Sequence, residues 1–274
     1  MASASVIVGS ASGIGLALAT ALARREWRVV LADIEADKAK ARAAELRAQG
    51  YDAVGHPADA VDAASLERLA DFAFARFGTV NLLVNNAGVG AAGPLHKVKP
   101  EMWRWTFAVN VDGLYHAARA FIPRMLAQGA PARIVNTASE HALGLPPRGG
   151  QITAYTGTKH AVLGLSEGMR RDYAGTNVAV SVVCPGLVAT QVWNALRNRH
   201  PQFGGPREAP PEAAAGMSNG ITPETAAARI LDGIEAGEFL ILTHGRDIAE
   251  VTGPRIAEVE AALARFKARY GGGA

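Results

Sequence analysis

The chain has 274 residues, 49% of them hydrophobic and 19% charged, with a formal net charge of +3. That composition supplies a sizeable core, and with no Lys/Arg block it argues against a nucleic-acid partner. A single cysteine, Cys184, excludes an intrachain disulfide and any cysteine-based metal cluster, and its Val-Val-Cys-Pro setting reads as a buried strand-end thiol. No run of 18 apolar residues is free of charge, so no membrane span is expected. The first residues lack a basic leader region, and the expectation is a cytoplasmic protein.

Short β-branched runs alternate with alanine-rich stretches at helical spacing. Strands are predicted at Ser5–Val8, Arg28–Ala32, Ala53–His56, Asn81–Val84, Arg133–Thr137, Val178–Val183 and Phe239–Leu242. Helices are predicted at Ile14–Arg25, Ala36–Gln49, Ala64–Phe77, Glu101–Ala127, Ala154–Tyr173 and Pro223–Glu235, with a surface or interface helix at about 255–270. This rhythm predicts an α/β fold: one doubly wound parallel sheet of about seven strands with helices on both faces, occupying residues 1–274 as a single domain. Two segments break it. Pro146–Gly150 is a turn-rich insert, and the stretch from about Leu187 to Gly220, rich in Pro, Gly and Ala in its second half, reads as a substrate lid.

The first strand runs into Gly9-Ser10-Ala11-Ser12-Gly13-Ile14-Gly15 and then a helical pattern. A diphosphate needs backbone N–H groups at a helix N-terminus, and glycine permits the tight turn and close approach. The spacing is Gly-x-x-x-Gly-x-Gly, so the strand–turn–helix context carries the reading as much as the glycines do. Asp33 follows the second strand, 18 residues beyond Gly15. A carboxylate there accepts bonds from both ribose hydroxyls of an adenosine and repels a 2′-phosphate; its other reading is a cap for the helix starting near Ala36. Ser10, Ala11, Ser12 and Ile34 supply no cation for a 2′-phosphate, so NAD is expected in preference to NADP.

Further on come Asn85-Asn86-Ala87-Gly88, Asn110, Ser139, Tyr155-x-x-x-Lys159, and Pro185-Gly186 with Thr190. Taken together and in this order, these residues resemble the short-chain dehydrogenases/reductases, from Ser5 to about Thr190. Two departures stand out: Val8 replaces the family's usual threonine, and the Ser139–Tyr155 separation is longer than usual, the extra residues falling in the Pro146–Gly150 insert. The resemblance implies a Rossmann-type fold and transfer of the pro-S hydride between a nicotinamide and the carbinol carbon of an alcohol or ketone. Tyr155 would be the general acid/base, Lys159 would lower its pKa and hold the nicotinamide ribose, and Ser139 would orient the substrate oxygen. Asn110 would help hold a water in a proton relay. Gly9, Ser12, Gly13, Ile14 and Gly15 would cradle the diphosphate, while Asp59 would touch the adenine, unless it caps the following helix. Asn86, Ala87 and Gly88 would pass the adenine-side ribose, with the Asn86 amide bracing the central strands. Pro185, Gly186, Val188 and Thr190 would meet the nicotinamide carboxamide.

The Tyr155/Lys159 chemistry also stands on its own. Residues four apart on a helix share a face, and an ammonium beside a phenol favours the phenolate. His141 either lines the pocket or faces solvent. Leu187, Val192, Trp193, Leu196 and Phe203 offer apolar contact to a substrate, and Arg197, Arg199 and Arg207 face solvent or a carboxylate. The expected substrate is a small apolar or aromatic secondary alcohol or ketone. The enzyme alternative is an NADPH-dependent 3-oxoacyl carrier-protein reductase, with Arg170 and Arg171 in a carrier-binding patch; the non-enzyme alternative is an NAD-binding redox sensor. A Ser-Glu-His triad at Ser139–His141 fails because adjacent strand residues point to opposite faces, and the histidine spacing gives no metal site. The long helices Glu101–Ala127 and Ala154–Tyr173 carry surplus small and apolar residues, as expected of a homotetramer or homodimer.

Overall fold

The computed structural model of the protein describes residues 2–146, 150–209, 216 and 219–271. Its seven strands are β1 (Ala4–Val8), β2 (Arg28–Asp33), β3 (Ala53–Pro57), β4 (Leu82–Asn85), β5 (Ala132–Thr137), β6 (Val178–Cys184) and β7 (Leu240–Leu242). They form one sheet in the order β3-β2-β1-β4-β5-β6-β7, and every neighbouring pair is parallel. All seven predicted strands are present. Alternation along each strand splits the core in two. From β1 and β2, Val6, Val8, Val30 and Ala32 face one layer, and Ile7, Val29 and Leu31 face the other.

Helices α1 (Gly13–Arg24), α2 (Ala36–Ala48) and α7 (Pro223–Glu235) cover the second face. Helices α3 (Ala63–Phe77), α5 (Gly113–Ala127) and α6 (Thr153–Asp172) cover the first. A parallel sheet needs both faces covered, which is why its strands read as unbroken apolar runs. The strand order reverses between β1 and β4, and the carboxyl ends of the strands on either side of that point deliver the candidate site residues.

Two expectations change. The helix predicted at Glu101–Ala127 is α4 (Pro100–Phe107), a π-turn over Ala108–Asp112, and α5. The π-turn carries Asn110, whose side chain is pulled into the loop after β4; such turns recur at functional sites. The C-terminal helix α8 (Arg246–Tyr270) begins earlier than the predicted 255. Its first turns are anchored by Ile248 and Val251, 3% and 2% exposed, and only beyond Pro254 does it run along the surface. Within the Pro146–Gly150 insert, 147–149 lie outside the described residues, as do 210–215, 217 and 218 of the predicted lid.

Candidate active site

The cradle is built by close approach. Gly9 adopts φ +84°, and a Cβ there would stand 2.7 Å from the Ala87 backbone; one on Gly15 would stand 2.1 Å from the Gly9 carbonyl oxygen. Asn86 locks this packing by donating its amide to that same oxygen at 2.7 Å. That bond braces the ends of the central strands β1 and β4, and Asn85 adds a second tie by donating to Asn136 at 2.9 Å across β4 and β5. Ser12 precedes α1 without a side-chain capping bond. The N–H groups of the first turn, Gly13, Ile14 and Gly15 among them, therefore keep the free donors of an uncapped helix N-terminus, where an anion is favoured. The residues present fit a dinucleotide diphosphate.

Asp33, 8% exposed at the end of β2, accepts from the Ala11 N–H at 2.8 Å and the Glu35 N–H at 2.9 Å. Its carboxylate ties the glycine turn to β2 and holds the turn after β2, and no side chain caps α2. Each of its oxygens has a second lone pair for a ribose hydroxyl. Asp59 accepts from the Val61 N–H at 2.9 Å, and it is Asp62 that caps α3 through the Ala64 N–H. The capping alternative for Asp59 is thus removed. Arg197 reaches across from the predicted lid to Glu35, 2.6 Å between Nη2 and the carboxylate, and holds the Glu35 carboxyl below the ordinary range against the opposing effect of burial.

Ser139, 6% exposed, follows β5 and accepts from the His141 N–H at 3.3 Å. Its hydroxyl faces Tyr155, in the first turn of α6, near enough to act on the phenol's pKa. Lys159, one turn on and 3% exposed, donates to the Thr137 carbonyl at 2.8 Å, with its Nζ 5.6 Å from the centre of the Tyr155 ring. Nζ also lies 3.4 Å from the point a Cβ on Gly88 would occupy, beside the loop after β4. Burial pulls the ammonium down to about 8. Burial pushes the Tyr155 phenol up, opposed by the Ser139 hydroxyl. The Lys159 ammonium is turned toward Thr137, and in this arrangement desolvation sets the direction of the Tyr155 pKa. Cys184, fully buried at the end of β6, is pushed up to about 12 by desolvation, as befits an inert thiol.

Asn110 is 4% exposed, and its amide is fully engaged. Its oxygen accepts from the Val89 N–H at 2.8 Å, and its nitrogen donates to the Val89 carbonyl and to Thr158 Oγ1, each at 2.9 Å. The side chain therefore ties the loop after β4 to α6. His141 does not face solvent. It is 8% exposed, bonds Thr156 Oγ1 at 3.0 Å and stands edge-on to Tyr155 with ring centres 5.6 Å apart. Burial, helped by His160, lowers its pKa to about 4, so it is neutral at pH 7.

The start of the predicted lid is clamped. Val188 bridges Ile221, and the N–H groups of Ala189 and Ile221 donate to the carbonyls of Ile221 and Leu187. Thr190 packs against the point where Gly13 would carry a Cβ, 3.1 Å away. Leu187 is 39% exposed, Val188 is 3% exposed and Trp193 is half-buried. Leu196 and Phe203 pack with Val89 and Trp105 instead of lining an open apolar pocket. His244 was not singled out as a site residue by the sequence. Its Nδ1 accepts from the Gly186 N–H at 3.2 Å and its Nε2 bonds the Leu187 carbonyl at 3.0 Å, so it holds the segment expected to meet the nicotinamide. The only signal was its place after the apolar run Phe239–Leu242. Among the described residues no cluster of His, Cys, Asp or Glu forms a metal site, and no helix is long and apolar enough to cross a membrane.

Comparison with known proteins agrees with this geometry. Residues 3–201 match the family model described as short chain dehydrogenase. A 1-deoxy-11-beta-hydroxypentalenate dehydrogenase from Streptomyces exfoliatus is 44% identical over 195 residues, 70% of each chain. The protein so named from Streptomyces avermitilis is 37% identical over 267 residues, 97% of this chain and 93% of the other. Among solved structures, a short chain dehydrogenase/reductase from Burkholderia phymatum in complex with NAD superposes with a TM-score of 0.87 at 34% identity, covering 95% of both chains. The relatives are named as dehydrogenases of hydroxyl-bearing compounds, and the family binds a nicotinamide cofactor. The chain belongs to the short-chain dehydrogenase/reductase family.

Proposed function

We propose that the protein interconverts a secondary alcohol with an apolar or aromatic skeleton and its ketone, using NAD(H) in preference to NADP(H). The observation that carries this reading is the convergence of Ser139, Tyr155 and the buried Lys159, whose Nζ reaches Gly88. When bound, the nicotinamide supplies hydride-transfer chemistry. Gly9 and the first turn of α1 would hold the diphosphate and Asp33 the adenosine ribose; Lys159 would hold the nicotinamide ribose. The Ser139 hydroxyl orients the substrate oxygen, and the Tyr155 hydroxyl gives it a proton or takes one. Lys159, with its pKa near 8, is well matched to return protons to that hydroxyl near neutrality. The Asn110 amide is committed to Val89 and Thr158, so any relay past it would use the backbone carbonyl that a π-turn frees.

The preference for NAD rests on Asp33. Its charge would face a 2′-phosphate, and Arg197, the cation brought nearby by the lid, is already neutralised by Glu35. The apolar skeleton is supported by Leu145, Leu187 and Val192, which are 69%, 39% and 40% exposed on the segments following β5 and β6. The first relative's name joins a hydroxyl to a carboxylate-bearing carbon skeleton, which is compatible with this class. A carrier-binding patch has little support, because Arg170 is stacked over Phe239 at 4.6 Å. A homotetramer or homodimer is supported by α8, where Ile256, Val259, Leu263, Phe266 and Tyr270 are each 54–64% exposed at the alternating three- and four-residue spacing of a helix-pairing seam.

The test is binding of NADH and NADPH to the purified protein, followed by turnover on a panel of secondary alcohols. Tighter NADH binding, with turnover reduced at least a hundredfold in Tyr155→Phe, is the expected result, since a positioned acid/base contributes about 10²–10⁴ in rate. Equal or tighter NADPH binding would overturn the cofactor assignment, and a Tyr155→Phe protein with most of its turnover would overturn the mechanism.

A further inference from the structure

Between the loop after β4 and the segment 199–207 lies a cavity of about 370 Å³, within the size range of small-molecule sites. Its wall carries Lys97, Lys99, Arg199 and Arg207 against one carboxylate, Glu101. Among the described residues none of these four cations forms an ion pair, whereas the neighbouring Arg197 is paired with Glu35. Arg199 is the informative one. It is 6% exposed, donates from Nε to the Gly205 carbonyl at 2.8 Å and from Nη2 to the Gly204 carbonyl at 3.1 Å, and Nη1 has no partner among the described residues. Gly204, at φ +104°, keeps the guanidinium in place: a Cβ there would press on Nη2 at 3.2 Å. Glu101, the one carboxylate of the cleft, has its Cγ 3.7 Å from that same point but forms no ion pair with Arg199, so the guanidinium is bonded to neutral carbonyls alone, an arrangement that an anion in the cleft would improve.

The rim of the cavity is tied through the backbone to the start of α6. Ala92 forms its rim, and the next residue, Gly93, bridges Ile152 and donates its N–H to the Gln151 carbonyl, just before the turn of α6 that carries Tyr155. A strand spacing of about 5 Å and a helical rise of 1.5 Å per residue put this rim roughly 10 Å from the Tyr155 backbone.

We propose that this cleft is an anion subsite, and that the substrate is an alcohol whose carbon skeleton ends in a carboxylate held by Lys97, Arg199 and Arg207. The inference rests on the oxidoreductase reading for the reacting end and on the cleft alone for the acidic end. The carboxylate would lie at the Arg199 edge, with the two exposed cations closing over it, and the apolar skeleton would span the distance to Tyr155.

Calorimetry with 5-phenylpentanoate and its neutral amide tests the cleft without any turnover. The expected result is about tenfold tighter binding of the acid, the scale of two partly solvated charge pairs. That preference should disappear in Lys97→Gln/Arg207→Gln, whose exposed positions spare the fold. Turnover of an aryl alcohol with and without a terminal carboxylate should show the same tenfold preference in kcat/KM and the same loss. Acid and amide bound alike by the unmodified protein, or a preference that survives the double substitution, would overturn the subsite. Acid-selective binding lost in the double variant, with no turnover of either alcohol, would uphold the subsite and count against the oxidoreductase reading.

Discussion

Replacing Lys159 by methionine should abolish turnover and yet remove a liability of the fold that can be read from its pH dependence. Lys159 is 3% exposed, and its pKa falls from 10.5 to about 8 because desolvation disfavours the ammonium. At about 1.4 kcal/mol per pH unit, holding this charge inside the folded protein at neutral pH costs about 3 kcal/mol. Between pH 8 and 10.5 the unfolded chain binds the proton that the folded protein has released, so the stability of the unmodified protein rises with pH. Relative to Lys159→Met, it should gain about 1 kcal/mol between pH 7 and pH 9 and about 2–3 kcal/mol by pH 10. The variant also orphans the Thr137 carbonyl that Lys159 bonds at 2.8 Å. That penalty, about 1–3 kcal/mol, does not vary with pH and shifts one curve against the other without changing the divergence. Cys184 and Tyr155 both have raised pKa values and erode stability at alkaline pH in both proteins, which is why the difference between the two curves is the quantity to measure. Urea unfolding at fixed protein concentration from pH 7 to pH 10, followed by circular dichroism, supplies it. Parallel curves would refute the claim that Lys159 is buried as a strained cation.

Gly15→Ala should leave the fold recognisable by circular dichroism but weaken dinucleotide binding at least tenfold by titration, because its Cβ would stand 2.1 Å from the Gly9 carbonyl oxygen; unchanged affinity would show that the cradle is not the cofactor site. His244→Ala removes two bonds that hold Gly186 and Leu187. It should raise the KM for the cofactor several-fold and lower stability by about 1–3 kcal/mol, at about 1 kcal/mol per hydrogen bond plus any orphaned group; steady-state kinetics and thermal melts check both. Leu263→Glu places a charge in the exposed stripe of α8 and should lower the mass measured by light scattering while leaving the far-ultraviolet spectrum intact, and an unchanged mass would exclude that stripe from the assembly.

The elements legible in the sequence are those whose signals are local. The strands are short apolar runs because a parallel sheet buries both faces, and the glycine turn is readable because only glycine tolerates Gly9 at φ +84° and the contact at Gly15. The Tyr155–Lys159 pairing follows from helical periodicity alone, and Ser139 was placed by its order in the chain beside those motifs. What lay beyond the sequence depended on contacts between distant segments. The π-turn at Asn110 exists because its amide is drawn to Val89 and Thr158, 21 and 48 residues away. His244 reaches Gly186 across 58 residues, and Arg197 finds Glu35 across 162. The protonation behaviour of Lys159, Tyr155 and His141 was decided by burial, which residue spacing does not report. Charge partners were equally out of reach: the sequence shows three arginines in one lid, and only the tertiary structure pairs Arg197 with a carboxylate and leaves Arg199 buried against carbonyls, because a side chain's electrostatic partner is set by which surfaces the fold brings together.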